Sequence, residues 1–415
     1  MRDATDNPFT LGSDTLPEVW AGRASQLRDW TDVVRPRLLA GLPERGRTIV
    51  GEPGLGKSTL VRRIAARAEA DGAWVTPQVR LPAGADPLKA VATAVLRLAD
   101  FAGLSASRER RIAEVLDRVR QVAASGISLT IDRTAGPEPY TALTDLLVAV
   151  GTAAVRARTV VLIHIDEIQN VTDGNALSPL LISLGDAITA TIRTDLPAGE
   201  VRDRSLPIAV YLTGLPEFAE KASSRTGATF ARRFATTTLE PISDGEIRLA
   251  LAPFIDPGWS VPDGAGAMTA VRMTADAVEA LVALCHGEPF LFQLAGERAW
   301  YAGHSAVISR EDVLMGWEAA KHEAVAHVER ILDRLPAKER EFIEYMAAAE
   351  PEQRTATAIA KSMGYSRAAN VGPFAQRLDT VRGIVSRGRR YAFRHRALEA
   401  YLTSNWPEVG TPTQR

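Results

Sequence analysis

Gly51-Glu52-Pro53-Gly54-Leu55-Gly56-Lys57-Ser58-Thr59 is the segment that most strongly indicates the fold class of this chain. It fits the pattern G-x-x-x-x-G-K-[ST], and a short apolar run, residues 48–50, stands directly before it. The glycines of such a loop let successive backbone N–H groups point inward at the β- and γ-phosphates of a nucleotide, and the positive end of the following helix adds to the attraction. We therefore expect residues 51–59 to bind ATP, with Lys57 along the phosphates and the Ser58 hydroxyl on Mg²⁺.

A second run, residues 160–165, is apolar and ends in two adjacent carboxylates, Asp166 and Glu167. A strand buried on both faces of a parallel sheet has this pattern. An acidic pair is also a common helix start, but its place about 100 residues after a phosphate loop favours a catalytic interpretation. Asp166 is expected to hold the Mg²⁺ shell, and Glu167 to orient or deprotonate the attacking water. His164 is expected to be a core histidine, because no other His or Cys is near it in sequence.

Composition limits the classes of protein that remain. With 415 residues the chain is long enough for two or three domains. The formal net charge of −1 gives no global field that would favour nucleic acid or membrane, so any basic face must be local. The lone Cys285 forms no intramolecular disulfide and suits a reducing cytoplasm. The polar first residues and the lack of a long apolar run predict neither a signal peptide nor a membrane span.

Helical and strand patterns alternate through the first half of the chain, which predicts an α/β fold with a parallel, doubly wound sheet. Nucleotide is then expected beyond the carboxyl ends of the strands. Helices are predicted over about 25–42, from Lys57 to about residue 71, and over 85–125, 140–157 and 178–193. Strands are predicted over 74–79, 160–165 and 206–212. Residues 126–140 are predicted to form a short hairpin or a loop insert, and residues 195–204 a polar loop.

Three further residues are candidates for the ATP chemistry. Thr213 stands at the end of the strand predicted over 206–212, where its hydroxyl would touch the γ-phosphate or the lytic water; the alternative is a plain Thr-Gly turn. Arg232 and Arg233 either supply an arginine finger to a neighbouring subunit or form a solvated helix end.

From residue 240 the character of the chain changes. Residues 240–330 are predicted to form a helical lid. Two helix starts occur there, each with a capping residue followed three positions later by a carboxylate, and no run typical of a buried strand occurs. A Gly/Pro-rich stretch, 257–266, interrupts this lid. Gly287-Glu288-Pro289 separates two apolar helices within it.

Together these motifs resemble the AAA+/STAND group of P-loop ATPases, and most closely its branch with origin-recognition-like (archaeal-type) cores. The resemblance covers roughly residues 7–405 and includes Gly22-Arg23, the phosphate loop, Asp166-Glu167, Thr213 and Gly287-x-Pro289. It implies ATP hydrolysis, nucleotide contacts from Gly22 and Arg23, and a nucleotide-reading role for Pro289. Residues 288–290 lack the arginine that origin-binding members usually carry there, which favours the STAND-like branch.

The last 80 residues give the second functional indication. Three helical segments followed by strand, turn and strand are typical of a winged helix. Residues 354–400 hold ten Lys or Arg against two Asp or Glu, a local surplus that suits a phosphate backbone. Arg387, Arg389 and Arg390 on the wing are the candidate DNA contacts. The alternative is a winged helix that packs on its own ATPase core.

The sequence therefore predicts an N-terminal arm (1–24), a P-loop core (25–239), a lid (240–330), a winged helix (331–405) and a tail (406–415). One functional hypothesis is a nucleotide-switched ATPase associated with duplex DNA. The other is a signalling or phage-defence switch whose winged helix is autoinhibitory and whose partner is a protein not identifiable from the sequence. A homo-oligomer is an open possibility in either hypothesis, and no membrane partner is expected.

Overall fold

The computed structural model describes residues 2–12, 15–104, 110–124, 139–195, 201–226, 232–262 and 267–408. The chain divides into two compact units. The first comprises Ala24–Val50 and Leu60–Thr238, and the second comprises Met1–Arg23, Gly51–Thr59 and Leu239–Arg415. The phosphate loop therefore belongs to the second unit, although both of its flanks in sequence belong to the first.

The first unit alternates helices and strands, as the sequence predicts. Its elements in chain order are α1 (Ala24–Arg28), α2 (Arg35–Leu39), β1 (Gly46–Val50), α3 (Lys57–Ala70), β2 (Trp74–Val75), β3 (Val79–Arg80), α4 (Pro87–Phe101), α5 (Arg110–Ala124), α6 (Pro139–Ala157), β4 (Val161–Asp166), α7 (Gly174–Thr189), β5 (Thr191–Asp195), β6 (Val201–Ser205), β7 (Ile208–Gly214), α8 (Glu217–Thr226) and β8 (Phe234–Thr238).

Its main sheet has six strands and is parallel throughout. The order is β2-β4-β7-β1-β8, and β3 also pairs with β4. Every residue of β4 and of β7 is buried, as expected for central strands covered by helices on both faces. The predicted α/β fold with a parallel sheet is confirmed.

The register of this sheet brings its functional strand ends together. Ile165 pairs with Leu212, and Val50 pairs with Gly214. Because parallel strands end at the same edge, Asp166 at the end of β4 and Thr213 near the end of β7 lie side by side.

The second unit is mainly helical. Its elements are α9 (Asp244–Ile255), β9 (Trp259–Pro262), β10 (Met268–Met273), α10 (Ala275–Cys285), α11 (Pro289–Ala302), β11 (Val307–Ile308), α12 (Arg310–Asp333), α13 (Ala337–Ala348), α14 (Ala356–Ser362), α15 (Gly372–Gln376), β12 (Val385–Ser386), β13 (Ala392–Phe393) and α16 (Arg396–Thr403). Ser243 and Ser309 form capping boxes at α9 and α12, as their sequences predict.

In two regions the structure contains strands where the sequence predicts none. Helix α7 ends at Thr189, and the polar loop predicted over 195–204 takes part in the antiparallel hairpin β5–β6. The predicted helical lid contains the small sheet β9–β11. In both regions the strands form because two segments pair with each other, although each segment by itself has only a weak strand pattern. In the hairpin, Arg193 faces Asp203 across the strands. The hairpin or loop insert predicted over 126–140 lies outside the described residues except for its last two positions.

Candidate functional site

The phosphate loop is shaped by its glycines. Gly54 and Gly56 have φ angles of +84° and +78°, in the left-handed region that residues with a Cβ disfavour. A Cβ on Gly54 would also overlap the ring of His327. The Lys57 ammonium donates to the carbonyls of Gly51 and Glu52, at 2.9 and 3.0 Å. The Lys57 ammonium therefore lies against the loop backbone that the sequence assigns to the phosphates.

Two segments assigned by the sequence to the N-terminal arm and the lid contact this loop. Arg23, itself at φ +64°, donates to the Leu55 carbonyl at 3.0 Å. Burial lowers the pKa of the Arg23 guanidinium to about 10, although the negative charges of Glu246 and Glu240 act to raise it. On the lid, the Phe290 N–H donates to the Gly54 carbonyl at 3.1 Å.

The other predicted contacts of the arm and lid lie in the same unit. Gly22 is at φ +69°, and a Cβ placed on it would lie 3.0 Å from the Ile242 side chain. Pro289 is the first residue of α11, and a Cβ placed on Gly56 would lie 3.6 Å from the Pro289 side chain. The residues that the family resemblance assigns to the nucleotide therefore lie in one unit with the phosphate loop.

The second residue of the loop, Glu52, is fully buried. Its carboxylate accepts from Arg334 at 2.7 Å and from Arg382 at 3.3 Å. Arg382 is itself 2% exposed and also donates to Glu339 at 2.6 Å, and Glu339 accepts from Arg377 at 2.8 Å. A buried chain of alternating charges thus runs from the phosphate loop into the C-terminal segment.

A second buried carboxylate lies between two histidines. The Glu288 carboxylate forms a hydrogen bond with His327 Nε2 at 2.5 Å. It also lies 2.7 Å from His395 Nδ1, where the two groups form an ion pair without hydrogen-bond geometry. Burial would raise the pKa of Glu288, but the charge of His395 and the hydrogen bond from His327 outweigh it and lower that pKa. Burial likewise disfavours a charged His395, yet Glu288 and Glu52 raise its pKa above the usual value.

In the first unit, Asp166 collects hydrogen bonds at the end of β4. Its carboxylate accepts from the side chain of Thr213, from the backbone N–H of Glu167 at 2.9 Å and from Gln78 at 3.0 Å. Thr213 is 1% exposed and Asp166 is 4% exposed. Among the described residues, no group of three His, Cys, Asp or Glu side chains forms a ready metal site. The side chains present nevertheless fit Mg²⁺, which favours carboxylate and hydroxyl oxygens.

Glu167 follows in a left-handed conformation, at φ +58° and ψ 37°. Its half-buried side chain accepts a hydrogen bond from the Gln169 amide. His164, two residues before Asp166 on β4, is buried and contacts the Thr76 carbonyl at 2.9 Å. Burial is the main cause that lowers the pKa of His164. Its surroundings are those of a core histidine, as the sequence predicts.

The two finger candidates differ in their surroundings. Arg233 is half-buried and forms a 2.7 Å ion pair with Asp186 on α7. Arg232 is exposed, and no acidic side chain in the described ranges forms an ion pair with it. Of the two, Arg232 is therefore the one whose guanidinium is available at the surface.

The basic surplus of residues 354–400 also falls into two groups. Five of its arginines form ion pairs: Arg354, Arg377, Arg382, Arg394 and Arg396. The other five cations are exposed, without an acidic partner in the part of the chain that the structure describes: Lys361, Arg367, Arg387, Arg389 and Arg390. The three arginines of the predicted wing, which the sequence assigns to DNA contact, belong to the exposed group.

Sequence reasoning missed the partners of these groups. Arg334, Arg382 and Gln169 lie in segments without a recognisable motif. For the cluster of Glu288, His327 and His395, the sequence contains one indication: a carboxylate inside the Gly-x-Pro turn between apolar helices. His327 and His395 are too distant in sequence to be matched to it.

Residues 19–186 match the family model of the AAA ATPase domain. This part of the chain is similar to an AAA ATPase domain. The protein is accordingly a nucleotide-binding ATPase, with the phosphate loop and the Asp166-Glu167 pair inside the matched region.

Two solved structures share the fold. A Walker-type ATPase of Pyrococcus abyssi is 14% identical, with 92% of this chain and 96% of that chain covered and a TM-score of 0.53. The ORC2 protein of Aeropyrum pernix, solved as ADPNP-ADP complexes, is 16% identical, with 95% of each chain covered and a TM-score of 0.51. The predicted likeness to origin-recognition ATPases is confirmed at the level of the fold.

No curated protein matches the sequence. Within the described residues, no helix combines the length and the apolar character needed to cross a bilayer.

Proposed function

We propose that this ATPase is a nucleotide-dependent switch whose C-terminal segment, residues 331–408, is a winged helix that associates with duplex DNA. Lys57 and Ser58 act on the phosphates and on Mg²⁺, Asp166 completes the metal shell, and Glu167 directs the attacking water. Thr213 reports the state of the nucleotide to β7. A cytoplasmic location stays a prediction from the single cysteine.

The buried Glu52 supports the switch. A ligand shifts a conformation only if it interacts differently with the two states. Nucleotide phosphates bind the backbone N–H groups of residues 51–59, and the Glu52 side chain of that loop is held by Arg334 and Arg382. Any rearrangement of the loop on ATP binding therefore acts on the C-terminal segment through this charge pair.

We expect Arg334→Gln to lower the Kd for ATP several-fold, because it removes one of the interactions that hold the loop in this conformation. Arg340→Gln is the matched control, since Arg340 also lies in the C-terminal segment but pairs with Asp333 and Glu344 only on the surface. Titration with a fluorescent ATP analogue measures both. An unchanged affinity in Arg334→Gln would contradict the switch.

The division of the basic residues supports DNA association. Five of the ten cations in residues 354–400 are paired with carboxylates, whereas Arg387, Arg389 and Arg390 are exposed on one hairpin turn. A cluster of unpaired cations suits a phosphate backbone, which imposes no base sequence. Binding is therefore expected to be independent of sequence.

Replacing Arg387, Arg389 and Arg390 together by Glu is expected to weaken duplex binding for all sequences alike. The slope of log K against log salt should fall by about 0.9 for each DNA phosphate that the protein no longer neutralises. Arg97, Arg158 and Arg202, exposed in the first unit, give a control triple variant with the same charge change. Fluorescence anisotropy at several salt concentrations measures both. An equal decrease in the affinity of the two variants would show only a net-charge effect and would contradict the wing site.

The second candidate is a signalling or phage-defence switch in which residues 331–408 are autoinhibitory and bind protein. The observation that favours it is the same charge chain from Glu52 to Arg382 and Glu339. In that case the triple charge reversal leaves DNA binding unchanged, whereas Arg334→Gln, which weakens the charge chain, raises basal ATPase activity. A fall in DNA affinity with unchanged basal activity favours the first candidate.

A further inference from the structure

We propose that Gln169 is a positioning residue, which orients the Glu167 carboxylate and couples that orientation to the end of β7. This inference rests on the proposed role of Glu167 toward the attacking water. Gln169 lies in the short 3-10 turn Ile168–Asn170 that follows β4.

The two halves of the Gln169 amide have different partners. Its carbonyl oxygen accepts from the backbone N–H of Leu215 at 3.1 Å, and its amide nitrogen donates to a carboxylate oxygen of Glu167. The Leu215 N–H is a fixed donor, so the opposite amide orientation would place donor against donor there and acceptor against acceptor at Glu167. Only a neutral amide of this length satisfies both neighbours.

The backbone around this amide has little freedom. Glu167 sits at φ +58°, and its carbonyl accepts from the Asn170 N–H at 2.9 Å, which closes the turn. On β7, a Cβ at Gly214 would come within 2.8 Å of Ile168 and 3.0 Å of the Gln169 oxygen. Glycine at 214 therefore lets the two chain segments approach closely enough for the bridge to form.

The end of β7 interacts with both carboxylates of the acidic pair. Thr213 donates to Asp166 directly, and Leu215, two residues later, reaches Glu167 through Gln169. A displacement of Thr213 would therefore move the Leu215 N–H and, with it, the amide that holds Glu167. Gln169 thus links the proposed nucleotide reporter to the proposed catalytic carboxylate.

Gln169→Glu and Gln169→Met test this inference by different physical routes. Glu keeps an acceptor for Leu215 but sets a second carboxylate against Glu167, beside Asp166. A carboxylate at 169 therefore offers Glu167 no hydrogen-bond donor, and kcat should fall about 10-fold with KM unchanged. Met removes both bonds, and kcat should fall about 10- to 100-fold through misorientation, with KM and ATP affinity unchanged.

The Glu167→Gln background separates positioning from a structural effect. If Gln169 acts through Glu167, adding Gln169→Met to Glu167→Gln lowers kcat no further. Independent effects that multiply, or a Gln169→Glu kcat equal to that of the unaltered protein, would overturn the inference. An unfolding midpoint that drops while kcat stays unchanged indicates a structural role and also overturns it. Full turnover by Glu167→Gln itself would instead refute the proposed function.

Discussion

Glu167→Gln is expected to bind ATP with unchanged affinity and to show a kcat reduced about 100-fold or more, because an amide cannot accept the proton of the attacking water. Lys57→Ala is expected to abolish ATP binding. The Lys57 ammonium donates to the Gly51 and Glu52 carbonyls and would lie along the ground-state phosphates. Equilibrium binding of a fluorescent ATP analogue, followed by steady-state phosphate release, measures the two effects separately.

The contrast between these two variants tests the roles assigned to Lys57 and Glu167. A residue that acts only on the water changes kcat alone, whereas one that neutralises phosphate charge changes binding first. Equal ATPase rates in Glu167→Gln and the unaltered protein would remove Glu167 from catalysis. Weakened ATP binding in Glu167→Gln would show that the substitution had altered the strained backbone at residue 167, which is at φ +58°, and through it the nucleotide site.

Arg232→Ala is expected to lower kcat by about a thousandfold if Arg232 acts on the nucleotide of a neighbouring subunit. Arg233→Ala is the matched control, because its guanidinium is already paired with Asp186 at 2.7 Å. A head-to-tail interface must form before such a finger acts. The ATPase rate per subunit of the unaltered protein should therefore rise with protein concentration.

A mixing experiment tests the same interface. Arg232→Ala subunits retain their own phosphate loop, and Lys57→Ala subunits retain Arg232, so an equal mixture should recover part of the activity that each variant lacks. If the unaltered protein is a monomer with a concentration-independent rate, the finger is excluded and hydrolysis is completed within one chain.

The fold class was predictable because its signals are local. The glycine pattern of residues 51–59 and the apolar run before Asp166 each describe one continuous segment, and a buried parallel strand needs no distant partner to be recognised. The hairpin β5–β6 was not predictable, since its strands are stabilised by each other. A pattern read along one segment does not contain the cross-strand pair Arg193 and Asp203.

The residues of the candidate site also fall into a group that the sequence predicts and a group that only the folded structure brings into place. The nucleotide-binding loop, the acidic pair and the polar residue at the end of β7 could be predicted from the amino-acid order, because covalent spacing sets those groups. Their partners could not: Glu52 is buried against Arg334 and Arg382, and Gln169 bridges Glu167 to Leu215. Burial and hydrogen bonding depend on which distant segments are packed together, and that choice is made by the folded core as a whole.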